Sequence, residues 1–293
     1  MRGLSFAGLA GLLAPLTLAA QLPPAAGPAA VNGDSAVCAF VSRAREGTAR
    51  YSDRARAIAD GYRAIGSESP GMGQHWVHIE RLLAGQFDAA RPQILNYATV
   101  AGRPTLVGVG YAIPARDTAE LPAAPASHAA WHFHSSTVED EELLPTHRMA
   151  GMADTALRVA VLHAWVWVAN PEGTFAPDNW ALPWVRLGLT PPPGAPVDAS
   201  RAVSLVAGGD EFFAALMAHV GRAEPDATRQ IRAVLSPAAA DVRTRVRAIA
   251  ATGRVGPEDV AWLADRWAAM WRDLQQAVPD SVWTAMRPVR DTH

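Results

Sequence analysis

Apolar residues recur at helical spacing in the first regularly patterned part of the chain. The segment 35–46 begins at a residue suited to capping a helix, Asp34 or Ser35. In the segment 53–65, apolar residues fall three and four positions apart, which is the period of one helix face. The pattern therefore predicts two helices in succession at the start of the folded chain.

The pattern then changes to short apolar runs that are typical of strands. Residues 93–98 and 105–113 are two such runs joined by a Gly-Arg-Pro turn, which predicts a hairpin. Residues 157–168, with the sequence LRVAVLHAWVWV, form the run with the strongest strand character, and the turn sequence Asn-Pro-Glu-Gly follows it. Helices followed by a small antiparallel sheet predict an α+β fold.

A proline-rich linker at residues 189–196 precedes a sequence that is helical in pattern to its end. Ser236-Pro237 has the form of an N-cap followed by proline at the first helical position. The last long helix is predicted to carry an apolar stripe formed by Leu263, Trp267, Met270, Trp271 and Leu274. The sequence thus predicts an α+β domain over 34–190 and a helical bundle over 197–290.

Residues 1–20 have the layout of a secretory signal peptide, with one Arg, an apolar run and small residues at its end. A membrane anchor is the alternative, but the run is short and is interrupted by Pro15. Residues 21–33 read as a flexible leader. We therefore expect a periplasmic or secreted protein that is not held in the membrane once the signal peptide is removed.

Composition excludes several classes of function. The 26 basic and 28 acidic residues give a net charge of -2, which argues against binding nucleic acid through phosphate contacts. Cys38 is the one cysteine, so an internal disulfide and a site built on several cysteines are excluded. Signature motifs for serine hydrolases, zinc proteases and nucleotide-binding loops are absent.

Histidine is concentrated in one region, since seven of the nine histidines lie between residues 75 and 163. His132 and His134 alternate along the chain, so both point to one side if the segment is extended. His75 and His78 share a face if they open a helix. Imidazole is the commonest protein ligand of first-row transition metals, so this concentration indicates a metal site.

The predicted ligands of that site are His75, His132, His134 and His163. The predicted accessory residues are Glu139 and Glu142, as a nearby carboxylate or base, and Trp165 and Trp167, which share a strand face with His163. A set of imidazoles and a carboxylate suits Zn, Cu, Fe or Mn, and the scarcity of sulfur ligands argues against a Cu(I) carrier. Metal-assisted hydrolysis and oxidation of a small molecule both stay open, as does the absence of any catalysis.

Two other interpretations stay open. The Trp-rich strand suits a non-catalytic pocket for haem or an apolar ligand, with His163 as a haem ligand or hydrogen-bonding group. The helical half suits an interaction protein with an unknown protein partner, provided that its Trp stripe is exposed.

Several motifs together resemble one family. They are Met-Gly-Gln-His-Trp-Val at 72–77, Arg-Pro-Gln-Ile-Leu-Asn-Tyr at 91–97, Leu-Val-Gly-Val with a following Tyr at 106–111, Leu-His-Ala-Trp-Val-Trp at 162–167 and Asn-Pro-Glu-Gly-Thr-Phe at 170–175. In this order they resemble a family of exported bacterial proteins with no assigned activity. The resemblance covers about residues 70–190.

The resemblance implies that His75 and His163 belong to one site, because they stand in its two strongest motifs. Relatives often carry an acidic residue where this chain has Gly110. If that acid matters in the relatives, His132 and His134 are the residues expected to replace its role here.

Overall fold

The computed structural model describes residues 35–126, 130–133, 158–209, 211–220, 225–287 and 289. The predicted signal peptide and leader lie outside these residues, as do His134, Glu139 and Glu142. Among the helices of the described ranges, none combines the length and the apolar character needed to cross a bilayer.

The described part of the chain combines helices with one sheet. The helices are α1 (Ser35–Thr48), α2 (Arg54–Ala59), α3 (Ile79–Ala84), α4 (Leu182–Arg186), α5 (Val197–Ala207), α6 (Glu211–Val220), α7 (Pro225–Thr252), α8 (Pro257–Ala277) and α9 (Asp280–Ala285), with short 3-10 helices at Ala49–Ser52 and Thr118–Glu120. The strands are β1 (Arg63–Ser69), β2 (Gly73–Val77), β3 (Ile94–Val100), β4 (Arg103–Ala115), β5 (His132–Phe133) and β6 (Arg158–Ala164). This composition confirms the α+β fold.

The strands form an antiparallel sheet in the order β1-β2-β3-β4-β6-β5. Because side chains alternate along a strand, its two faces carry different residues. One face buries Trp76, Tyr97 and Tyr111 against α1, where the rings of Phe40 and Tyr111 are 5.4 Å apart. The opposite side of the sheet carries His75, His132 and His163, and we call it the histidine face.

The second predicted helix is shorter than its pattern suggested. Helix α2 ends at Ala59, and Gly61 follows with a φ of 104°, which favours glycine. The chain then extends, and Ile65 pairs with His75 across β1 and β2. Pairing with β2 thus overrides the helical spacing of the last residues of segment 53–65.

The helical half contains one long helix where the sequence predicted a break. Helix α7 runs through Pro237, which cannot donate a backbone hydrogen bond. Leu235, Ala238 and Val242 are nevertheless buried around this proline, and their packing holds the helix together. Tertiary contacts therefore outweigh the local preference of proline for a helix start.

The apolar stripe of α8 is buried, as predicted, in the core that α8 shares with α5, α6 and α7. Trp267 and Trp271 lie in this core with their ring centres 5.7 Å apart. Since the stripe is covered, it offers no exposed tryptophan surface. The hypothesis of an interaction protein that binds its partner through α8 therefore loses its supporting feature.

Candidate functional site

Three imidazole rings lie close together on the histidine face. The ring centre of His163, on β6, is 5.4 Å from that of His75, on β2. It is 5.1 Å from the ring centre of His132, on β5. His163 therefore stands between two other imidazoles that come from distant parts of the sequence.

The strand register explains how His75 and His163 meet. Strands β2 and β6 are three positions apart in the sheet, so their backbones are separated by about 14 Å. His75 pairs with Asn96, Asn96 pairs with Gly108, and Gly110 pairs with His163. The two β4 residues in these pairs, Gly108 and Gly110, have no side chain. No β4 side chain therefore stands between the two imidazoles.

Large apolar side chains lie over these glycines. A Cβ atom on Gly108 would be 3.1 Å from a ring carbon of Trp165, and one on Gly110 would be 3.1 Å from Cβ of Ile94. A side chain at position 110 would require Ile94 to move. The β4 side of the imidazoles is therefore lined by apolar groups, and electrostatic interactions are stronger in such surroundings than in water.

The ring of His163 is held in one orientation. Its Nδ1 donates a hydrogen bond to the carbonyl oxygen of Pro177 at 2.7 Å. A carbonyl oxygen can only accept, so Nδ1 carries a proton. With 1% of its surface exposed, His163 holds both ring nitrogens inside the protein.

The two tryptophans of the same motif are separated by the fold. Strand β6 ends at Ala164, and the amide of Val166 turns back to donate to the Ala164 carbonyl. Trp165 remains near His163, with ring centres 6.4 Å apart. Trp167 packs on the α1 side of the sheet, so the prediction that both tryptophans share a face with His163 is wrong for Trp167.

His78 belongs to a different environment. His75 lies in β2 and α3 begins only at Ile79, so the two histidines do not share a helix face. The ring of His78 packs edge-on against Tyr62, with ring centres 5.2 Å apart. Burial, together with the nearby Arg81, lowers the pKa of His78. His78 is therefore a packed, neutral histidine outside the cluster.

Two polar residues near the cluster were missed by sequence reasoning. Asn96 is fully buried beside His75, and a lone asparagine inside an apolar strand is the signal that could have found it. Asp178 follows the Pro177 carbonyl that orients His163. Burial, helped by Glu172 and opposed by Arg201, raises the pKa of Asp178 to about 6. No motif distinguished Asp178 from an ordinary turn residue.

Within the described ranges, no three or more His, Cys, Asp or Glu side chains meet as a ready set of metal ligands. His75, His132 and His163 are brought together as rings, while the other predicted ligand, His134, and the carboxylates Glu139 and Glu142 stay predictions.

Comparison of this chain with protein-family models, with curated proteins and with solved structures gives no match. Function is therefore inferred from the histidine face itself.

Proposed function

We propose that this chain is an exported protein that binds a first-row transition metal through His75, His132 and His163. The observation that carries the proposal is the convergence of two imidazoles on His163, at 5.1 and 5.4 Å between ring centres. The candidate ions are Zn, Cu, Fe and Mn, since all four accept imidazole ligands.

The ring spacing supports a shared ion. A metal–nitrogen bond of about 2.0–2.1 Å places a ligating ring centre about 3.2 Å from the metal, so two ligands at the tetrahedral angle have ring centres about 5.2 Å apart. The two observed distances lie on either side of this value. Each of these two pairs of imidazoles therefore has the spacing expected of two ligands of one ion.

The hydrogen bond of His163 also supports the proposal. Histidines that bind metals usually donate their other ring N–H to a carboxylate or a backbone carbonyl, which fixes the ring and raises its basicity. Pro177 supplies such a carbonyl to His163. The Ala176 carbonyl holds the neighbouring indole of Trp165 in the same way, at 2.7 Å. One loop therefore orients both the central imidazole and its apolar wall.

A bound ion would supply Lewis-acid or redox chemistry. The residues of this chain would hold the ion, fix its position and exclude water through Trp165 and Ile94. His134 and one of Glu139 and Glu142 stay predicted as additional ligand and carboxylate. The proposal concerns metal binding. Action on a small-molecule substrate is one function that such a metal site would allow.

The metal content of the purified protein tests the proposal directly. Protein without a His tag, purified from the periplasm or medium, is expected to hold about one metal equivalent by elemental analysis, and His163→Ala roughly a tenth of that. His132→Ala/His134→Ala is expected to lose metal as well. His78→Ala is the matched control, because it removes a buried imidazole outside the cluster and should keep the metal.

Absence of metal from the wild type, even after reconstitution with each of the four ions, would contradict the proposal and leave the histidines as packing residues. A Soret absorption band in the same preparation would support the haem alternative. Export is tested separately by the intact mass of the mature protein, which should begin near Gln21 after cleavage at Ala20.

A further inference from the structure

Asn96 is the polar residue at the centre of the histidine face. It lies in the middle of β3, with 0% of its surface exposed, and pairs with His75 on one side and Gly108 on the other. Its carboxamide oxygen is buried and has no hydrogen-bond donor among the described residues. An uncompensated carbonyl in a protein interior opposes folding, so an apolar residue of similar size would serve the core better.

The amide has a definite orientation. Its nitrogen end faces the sulfur of Met72, at 3.8 Å. Met72 packs with Ala98, Val107 and Trp165, in a cluster beside the histidines. The oxygen end of the same amide therefore faces away from Met72. Since Gly108 is the β4 partner of Asn96, no side chain of that residue covers the oxygen.

An irregularity in the sheet occurs at the same residue. The register between β3 and β4 shifts between Asn96 and Tyr97, where Asn96 pairs with Gly108 but Tyr97 pairs with Leu106. Bulges of this kind re-aim side chains and are common beside functional sites. The extra residue of this bulge is Val107 of β4, so the local distortion lies directly across from the buried amide.

We infer that Asn96 is a donor group of the metal site and that its carboxamide oxygen binds the ion held by His75, His132 and His163. This inference rests on the proposed function and deepens it. An oxygen donor beside three imidazoles favours divalent Zn, Fe or Mn over Cu(I), which prefers sulfur ligands. The site thereby obtains an oxygen ligand from β3.

The test compares metal affinity with the stability of the metal-free protein. Asn96→Leu is expected to weaken Co(II) or Zn(II) binding at least about tenfold and to shift the visible spectrum of the Co(II) protein. The melting temperature of the metal-free variant should equal or exceed that of the wild type, because the variant loses an unsatisfied buried group. Asn96→Asp, which keeps an oxygen donor, should retain the binding of divalent ions.

Met72→Leu is the matched control, since it removes the neighbour of the amide nitrogen and leaves the oxygen in place. Its affinity should equal that of the wild type. Equal affinities and Co(II) spectra for the wild type and Asn96→Leu would overturn the inference while leaving the proposed function intact. A wild type that binds none of the ions would overturn both. A lower melting temperature of metal-free Asn96→Leu, with unchanged affinity, would make Asn96 a packing residue.

Discussion

Replacing Arg186 with methionine is expected to lower the free energy of unfolding by about 3–5 kcal/mol, the range found when one partner of a buried ion pair is removed. Arg186 ends α4, and its side chain is 2% exposed. It links the sheet to the helical half of the protein, because its two carboxylate partners come from β1 and from the first residue of α6.

The guanidinium is almost fully satisfied. Its two terminal nitrogens bind both carboxylate oxygens of Glu211, at 2.8 and 2.6 Å. One of these two nitrogens also lies 3.0 Å from a carboxylate oxygen of Glu68. The Nε atom of Arg186 donates to the carbonyl of Thr99 at 3.0 Å. This fork geometry is specific to arginine, so Arg186→Lys is expected to lose part of the stability as well.

The loss in Arg186→Met comes from the groups that stay behind. Glu68 and Glu211 are largely buried, and without the arginine they repel each other in a medium that solvates them poorly. Burial already raises the pKa of Glu211 in the wild type. In Arg186→Met its pKa should rise further, so protonation at acidic pH relieves the repulsion. The destabilisation should therefore be smaller near pH 5 than near pH 8.

Urea unfolding followed by circular dichroism measures this effect. Arg186→Met/Glu211→Leu should recover most of the lost stability, because it removes one uncompensated charge together with the arginine. Arg43→Met is the matched control, since the Arg43–Asp88 pair is exposed and should contribute less than about 1 kcal/mol. Similar losses for Arg43→Met and Arg186→Met would contradict the assignment of Arg186 as a buried link.

Periodicity predicted those elements whose local pattern and tertiary environment agree. The stripe of α8 and the hairpin of β3 and β4 are recognisable because their apolar positions are also the buried ones. The helix predicted for segment 53–65 is wrong at its end, because residues 63–65 pair with β2. The local sequence does not reveal that contact. The predicted strand 157–168 is longer than β6, which ends at Ala164. The amide of Trp165 donates to the carbonyl of Thr174, a contact that the local sequence does not reveal.

The candidate site was predictable only in part, for a related reason. Histidine residues are rare enough that their concentration between residues 75 and 163 was informative. Charged residues are common, so Arg186 and Asp178 become notable only through burial, which the sequence does not reveal. For Asn96 the sequence signal is weaker than for the histidines, since it is a single amide within an apolar strand.

Asp178→Asn is expected to stabilise the metal-free protein near neutral pH by up to about 3 kcal/mol, at 1.36 kcal/mol for each unit of pKa difference. One carboxylate oxygen of Asp178 is buried and has no hydrogen-bond donor among the residues that the structure describes. Burial first, and then repulsion by Glu172, raise its pKa to about 6, while Arg201 acts in the opposite direction. Asparagine has a similar shape but carries no charge.

The sign of the pH dependence follows from proton binding. An unfolded aspartate has a pKa of about 3.9, so between about pH 4 and pH 6 folded Asp178 holds a proton that the unfolded chain has released. The stability associated with this proton is fully present below about pH 4 and is lost as the pH rises through about 6. The amide in Asp178→Asn does not titrate, so the wild type and the variant should be equally stable at about pH 4 and diverge above it.

Unfolding free energies of both proteins, measured in urea from about pH 4 to pH 8, test this expectation. Asp265→Asn, at an exposed position of α8, is the matched control for the loss of one aspartate. A curve for Asp178→Asn parallel to that of the wild type would instead mean that the pKa of Asp178 is the same in the folded and the unfolded chain. Asp178 follows the carbonyl that orients His163, so the destabilising carboxylate lies beside the proposed metal site. Its removal should therefore increase stability while leaving the fold intact.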